Sequence, residues 1–471
     1  MNLTLLAVAP LKHAHHEPSM TVTLVFTVIL VLMIVTLALE EKIHAKKSLI
    51  TAVFAVICLF LGNLLGVIPG EAVAHVGIER IKLPIYIPAV DWGVIAIILG
   101  SSLFVDVTSR SGLFTWIAIK LTKRSKGDPV KLLVYYGLMT VLFSAVLNNV
   151  TAMIIVGSLT GVSLRKLGRE DKLLGFLLIE GLLTNIGGLL TLISSVPNII
   201  VGAAAKISFV AFFVASAPYV AVATVATLIV GARLFAISRI KGEEKKAEAL
   251  RLVSGFDEND GIESRGFFWF SAVMTVLFIG AIATTSIIPV IDQLGMGYVA
   301  LGFAVIMLLR YKSEVDIFYR ALDWDLLGFF ISLFVVINIM EHAQVLALIG
   351  QGLSHVVALG PTLGTAALLV AAAAFSSVTD NIPLSAMLAK ILVKLHVTNT
   401  SPLWWSVIFG ANLGGNLTPI GSASTLVAVT IIHKYELQLS FGGFVKLAVP
   451  YALVQIALAV GYVLLVLARG S

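Results

Sequence analysis

Four short stretches place side chains able to hold an ion inside otherwise apolar sequence. They are FSAVLNNVTAM (143–153), TNIGGLLTLIS (184–194), SSVTDNIPLSAM (376–387) and ANLGGNLTPIG (411–421). The first offers Asn148, Asn149 and Thr151. The second offers Asn185 beside Gly187 and Gly188, the third Asp380 and Asn381, and the fourth Asn412, Gly414, Gly415, Asn416 and Thr418. Asparagine and threonine oxygens can bind freed backbone groups or an ion, and glycine permits a backbone that leaves the helix. Asp380 carries the sharpest chemistry. An unpaired carboxylate at membrane depth costs at least about 2.5–3.5 kcal/mol, so a proton, a sodium ion or a cationic partner must offset it. Glu180, on the approach to Asn185, is the second candidate for a coupling acid, since a buried carboxyl suits a proton carrier.

The surroundings are those of a polytopic α-helical membrane protein. Of 471 residues, 59% are hydrophobic and 12% charged, with a mean hydropathy of +1.02, where a soluble domain carries about 25% charged residues. The formal net charge of +6 follows from Lys and Arg gathered in short loops and is no nucleic-acid footprint. A single cysteine, Cys58, excludes an intramolecular disulfide and a cysteine metal cluster. No P-loop, Walker sequence or metal-ligand spacing is present. The expected partners are therefore the lipid bilayer and a small ion, with no enzyme constellation and no cofactor beyond a bound Na⁺. Transport energy would come from an ion gradient or a partner ATPase.

Ten apolar runs have spanning length: 20–39, 48–69, 92–119, 173–206, 208–236, 267–289, 295–309, 324–350, 402–433 and 443–468. Two more, at about 130–164 and 361–397, break at a polar centre into arms too short to cross. They read as re-entrant hairpins. With residues 1–19 as a tail outside and both hairpins returning to their own side, 24 of the 32 basic residues fall on the inner face. The charged segment 238–266 is then a cytoplasmic linker, and the C-terminus lies outside.

The two sides of that linker, 20–237 and 267–471, are copies. Asp91-Trp92 aligns with Asp323-Trp324 at an offset of 232, and the same offset sets Asn148-Asn149 on Asp380-Asn381. TNIGGLLTLIS aligns with ANLGGNLTPIG at an offset of 227. Paired interruptions in two oppositely directed repeats are the signature of an alternating-access transporter, with its site where the breaks meet. Half-helix N-termini would aim partial positive charge there. Other ionisable residues read as structural. Asp106 and Arg110 form a pair four apart, Glu341 and His342 lie at a helix end, Asp91, Asp323 and Asp325 are interfacial caps, and Lys390 snorkels. Pro383 starts the returning arm of the second hairpin.

With LNNVTAMIIVG, IEGLLTNIGGLLTLISSVPNIIVG, SSVTDNIPLSAM and FGANLGGNLTPIGSASTLVAV in view, the chain resembles the ion transporter superfamily. It is nearest the group of arsenite permeases, the P protein and D-type sodium/proton antiporters, with citrate-transporter-like dicarboxylate symporters more distant. The resemblance implies a homodimer, elevator-type movement, and tips that hold coupling ions and substrate. A sodium ion would sit among Asn149, Asn185, Asn381 and Asn412. Ser194-Ser195-Val196-Pro197-Asn198 stands where relatives often have Gly-Asp-Pro-Pro-Asn, so no acid is assigned there. The expected function is ion-coupled export of a small inorganic anion or oxyacid such as arsenite against protons. The alternatives are a sodium/proton antiporter, a passive anion channel and a sodium-coupled dicarboxylate transporter.

Overall fold

The computed structural model describes residues 18–68, 71–76, 79–147 and 149–467. Most of the proposed tail and Asn148 lie outside this set. In chain order, α1 (Met20–Ala38), the single turn α2 (Glu40–Ile43) and α3 (Lys47–Leu64) precede an antiparallel pair, β1 (Glu71–Val76) and β2 (Glu79–Pro84). The short α4 (Tyr86–Ala89) leads into α5 (Trp92–Arg110) and α6 (Leu113–Ser125). The first hairpin is α7 (Pro129–Val146) and α8 (Asn149–Lys166), and the first broken helix is α9 (Leu173–Gly188) and α10 (Val196–Ala204). After α11 (Phe209–Leu234), the linker holds α12 (Glu243–Ser254). Then come α13 (Arg265–Thr284), α14 (Pro289–Arg310) and α15 (Val315–Ala321). The second copy repeats the order: α16 (Trp324–His342) and α17 (Val345–Val357), the hairpin α18 (Gly360–Ser376) and α19 (Asn381–Lys394), the broken α20 (Pro402–Gly414) and α21 (Ala423–Lys434), and α22 (Phe441–Tyr462).

Local chemistry sets these boundaries. Asp128 accepts from the backbone N–H groups of Val130 and Lys131 and is followed by Pro129, a strong helix start. Ser208, Ser264, Ser401, Ser422 and Ser440 cap α11, α13, α20, α21 and α22 in the same way. Nine described helices are long and apolar enough to cross a membrane. Eight of them coincide with expected spans, two further expected spans are the broken helices, and the ninth is α7. That hairpin arm is thus longer than its sequence suggested, because the helix runs from the Asp128 cap to Val146 without interruption.

The runs 92–119 and 324–350 are not single spans. Each turns after one long helix, at Gly112 (φ 78°) and at Gln344 (φ 61°). These positions are 232 residues apart, so both copies break at the same point. Both adopt the left-handed conformation that ends helices.

The chain divides into two compact units. One contains the described residues up to Ile95 with Asp323–His355 and Lys390–Leu395. Its centre is the packing of α3 against α16, with α1 alongside. Phe26, Met33, Cys58, Phe330 and Val336 are buried here. Asp323 caps its own helix by accepting from Leu326 N–H at 2.9 Å. Asp325, expected to do likewise, instead accepts the Ser48 N–H at 3.1 Å, closing an orphan donor in the first turn of α3. Lys390 does not simply snorkel: its ammonium lies 3.2 Å from Glu341.

The other unit holds Ala96–Leu322, Val356–Ala389 and the described residues from His396 onward. Both hairpins pack there against the broken helices, α7 and α8 on α9, and α18 on α20, with α11 and α22 on the flanks. Arg110 lies over the Phe318 ring at 5.0 Å, and no bridge to Asp106 within 4.0 Å forms. The linker is not wholly loop, for α12 packs on α6.

Candidate functional site

The site lies within the second unit, where the two broken helices meet. Between α9 and α10, and between α20 and α21, the chain leaves the helix for seven or eight residues. The amides flanking these gaps bond crosswise. Asn185 Nδ2 donates to Ser422 Oγ at 2.9 Å, and Ser195 Oγ donates to Asn412 Oδ1 at 2.7 Å. Asn185 and Asn412 are equivalent at an offset of 227, and so are Ser195 and Ser422. Each copy thus uses its asparagine to hold the other copy's helix cap.

Three further contacts repeat between the copies. Ser144 Oγ donates to the Thr184 carbonyl and Ser376 Oγ to the Ala411 carbonyl, both at 2.6 Å. Thr191 donates to the Ala145 carbonyl and Thr418 to that of Ser377. Gly187 packs on Val141 and Ser144, and Gly414 on Ala373 and Ser376, closely enough that neither has room for a Cβ. Each hairpin tip is therefore clamped to its own broken helix by one serine, one threonine and one glycine seam.

The sequence candidates fall into two groups. Asn149, Asn185 and Asn416 are joined in one network, and Asn412 is engaged in a second with Ser195 and Asn198. Asn149 accepts from Ser144 at 2.7 Å and donates to Asn185 at 3.4 Å. Asn185 also donates to Asn416 at 2.8 Å and accepts from Ser424 at 3.1 Å. Asn412 donates to Asn198 Oδ1 at 2.9 Å and to the Ile408 carbonyl at 2.8 Å. Gly188 supplies a carbonyl to Ser194 and Asn198 and lies against the Asn149 amide. Gly415 packs on Gly421 and Ser422.

The second hairpin tip is looser. Asn381 occupies the position of Asn149 in the other copy, yet its amide has no hydrogen-bond partner among the described residues and does not reach Asn412. Asp380 is half-buried, and its Oδ1 accepts the Ile382 N–H at 3.0 Å, capping α19. Pro383 sits in the first turn of that helix, as expected. Thr151 is half-buried near the start of α8. Glu180 is buried one and a half turns before Asn185, and its Oε1 accepts from Thr160 Oγ1 at 2.6 Å.

Sequence reading missed several partners. Ser195, Asn198, Ser422 and Ser424 complete the crossing. Gln455 on α22 accepts from Asn416 at 2.8 Å and donates to Thr227 on α11 at 3.0 Å, tying the crossing to the flanking helices. The offset that pairs Asn185 with Asn412 also pairs Ser195 with Ser422 and could have found both. Gln455 falls opposite Leu228 at that offset and had no such signal.

The arrangement offers four helix N-termini (α8, α10, α19 and α21) at two hairpin tips and two breaks, with a carboxylate and an uncommitted amide at one tip. Among the described residues no group of three His, Cys, Asp or Glu side chains could hold a metal ion. Polar, interrupted backbone of this kind is tolerated in a membrane protein where it is buried in protein or lines a cavity, and in transporters it marks the binding site.

Comparison with known proteins agrees. An uncharacterized transporter of Mycobacterium tuberculosis is 28% identical over 379 residues, covering 79% of this chain and 86% of its own. An uncharacterized transporter of Synechocystis is 25% identical over 453 residues, 91% of this chain and 94% of its own. The P protein of Mus musculus is 23% identical over 508 residues, 91% of this chain and 61% of the larger P protein. Among solved structures, the YdaH transporter of Alcanivorax borkumensis, described as having an unusual topology, shares the fold. Its TM-score is 0.58 at 15% identity, over 90% of this chain and 99% of that one. The family model for the citrate transporter matches residues 35–410; the chain is a membrane transporter belonging to the citrate transporter family of the ion transporter superfamily.

Proposed function

We propose that the chain is a secondary active transporter that exports a small inorganic anion or oxyacid of the arsenite kind in exchange for protons. Its cargo would move by elevator-type alternation within a homodimer. One observation carries this reading. The segments that build the crossing and its tips, residues 141–151, 180–200, 373–386 and 408–428, contain two acids, Glu180 and Asp380, and no Lys, Arg or His. A citrate-like trianion would meet only amides and helix termini there, with no full positive charge. A small hydroxylated solute needs no more than the Asn381 amide and neighbouring helix N–H groups, and the acids remain to carry protons. The charge bias of the loops supports an inward-facing linker and outward termini.

The same excess of acid over base supports a second reading, sodium/proton antiport, in which Asp380 binds Na⁺ and H⁺ by turns. Liposomes loaded with a pH-sensitive dye separate the two. Under an imposed proton gradient, the first reading expects proton movement on adding arsenite and none on adding Na⁺ or citrate. A response to Na⁺ alone supports the second, a response to citrate alone refutes both, and unsaturable flux with every gradient collapsed makes the protein a channel. In either coupled reading, Asp380→Asn abolishes the proton signal; an unaltered trace would reduce Asp380 to a cap for α19.

A further inference from the structure

Glu180 has a second feature that the crossing does not use. Its Oε2 is buried without a hydrogen-bond partner among the described residues. Among the described residues no salt bridge reaches it. The titratable group that faces it is Tyr136 of α7, within electrostatic range. A buried carboxylate with one neutral donor and no cation is unfavourable by several kcal/mol, by the order-of-magnitude cost of burying an ion, and a bound proton removes that charge.

A run of hydroxyls leads away from this carboxyl. Thr160 Oγ1 donates to it at 2.6 Å. One turn further along α8, Ser163 Oγ lies 2.7 Å from Tyr136 Oη, which in turn lies 2.7 Å from Thr122 Oγ1 on α6. Thr122, Tyr136, Ser163 and Thr160 are all buried. The last turn of α6 follows. Ser125 Oγ donates to the Thr122 carbonyl at 2.6 Å and accepts from Gly127 N–H at 3.1 Å, and Gly127 packs on Ala249 of the linker helix α12. The hydroxyl run therefore ends beneath the face that carries the linker.

We infer that Glu180 is a proton-binding site served from the linker face by a relay through Thr122, Tyr136, Ser163 and Thr160. This rests on the ion-coupled reading above and supplies its proton route. The Thr122 hydroxyl, which donates to the Ala118 carbonyl at 2.9 Å, turns to Tyr136; a proton from water on the linker face adds to the Thr122 oxygen as the Thr122 hydrogen passes to Tyr136, whose own hydrogen passes to Ser163. Ser163 passes its hydrogen to a water bridging the turn of about 5–6 Å to Thr160, and that water passes one of its own hydrogens to the Thr160 oxygen. Thr160 then gives its hydrogen to a Glu180 oxygen. Every hydroxyl ends neutral, and the net change is one proton moved from water to carboxylate.

The test is the rate at which the Glu180 proton exchanges, read without any transport. Infrared difference spectra of the purified protein on transfer to D₂O follow the C=O band of the protonated carboxyl, identified by its loss in Glu180→Gln. The relay predicts that Tyr136→Phe slows the shift of this band at least tenfold, and that Ser163→Ala does so independently should Tyr136→Phe fold poorly. Tyr451→Phe, which removes a buried hydroxyl outside the run, leaves the rate unchanged. A purely structural role for Tyr136 and Ser163 would lower thermal stability at an unchanged exchange rate, which overturns the relay. A spectrum in which Glu180→Gln removes no band overturns the proton site. Proton flux in liposomes is scored separately: if no solute moves protons, the ion-coupled reading fails while the exchange result stands.

Discussion

Replacing Gly187 by alanine tests whether the hairpin tips are truly clamped to the broken helices. A Cβ at this position would lie 2.6 Å from the Val141 carbonyl oxygen, 2.8 Å from Val141 Cα and 2.9 Å from Ser144 Cβ. Two of these atoms are backbone and cannot rotate away. Carbon pairs settle at about 3.5–4.0 Å, so α7 and α9 must part by about 1 Å. Overpacking of that kind costs about 1–3 kcal/mol. It also stretches the 2.6 Å bond from Ser144 to the Thr184 carbonyl, whose net worth is about 1 kcal/mol. The gain in helix propensity from glycine to alanine, about 1 kcal/mol, offsets part of this. The expected net loss is about 2 kcal/mol, a fall of about 2–3 °C in the melting temperature of a chain this long. The assay is the fraction of protein still monodisperse on size exclusion after heating in detergent. Gly414→Ala, on the equivalent seam of the other copy, should behave alike. Gly302→Ala, within α14 and with nothing within 4 Å of its Cβ position, should be neutral or slightly stabilising. Equal melting of Gly187→Ala and Gly302→Ala would refute the clamp.

Other outcomes follow from the same geometry. A double-mutant cycle on Asn185→Ala and Ser422→Ala should return a coupling of about 1 kcal/mol in thermal stability, and the Asn412/Ser195 cycle should match it; coupling in one pair alone would break the symmetry of the crossing. Asp325→Asn should loosen the first turn of α3 held through Ser48, lowering stability by about 1 kcal/mol, with faster hydrogen exchange confined to that turn. Cys58, fully buried in α3, should react with a maleimide only as its unit unfolds; labelling at the folded protein's temperature would mean that the packing of α3 on α16 is wrong.

The polar breaks were legible because a carboxylate or a Gly-Gly pair is conspicuous among Leu, Val and Ala, and because each break position recurs in the second copy at a fixed offset. That was enough to locate both hairpins and both broken helices to within a few residues. It did not show what the asparagines bind. Asn185 and Asn412 were expected to face an ion, and their amides are instead engaged with Ser422, Asn416, Ser195 and Asn198. Serine is common in apolar helices, so its role as the cross-copy partner carries no compositional mark. Asp380 and Asn381 sit together at the tip, but sequence did not show that one carboxylate oxygen caps α19 while the neighbouring amide stays uncommitted. The turns at Gly112 and Gln344 were missed because the apolar run continues through them, and because glutamine gives no hint of a left-handed backbone. The Asp106–Arg110 pair failed for a different reason. Spacing of four permits a bridge, but an aromatic face at Phe318 competes for the guanidinium.

The central claim is that the crossing joins two copies running in opposite directions through the membrane. In a Cys58→Ser background, Glu170→Cys lies in the loop after the first hairpin and Asn399→Cys in the loop after the second, both exposed. Glu258→Cys marks the linker. Labelled in sealed vesicles with an impermeant maleimide, Glu170→Cys should react from the same side as Glu258→Cys, and Asn399→Cys from the opposite side. Reaction of Glu170→Cys and Asn399→Cys from one side would contradict the inverted repeat and the alternating-access mechanism built on it.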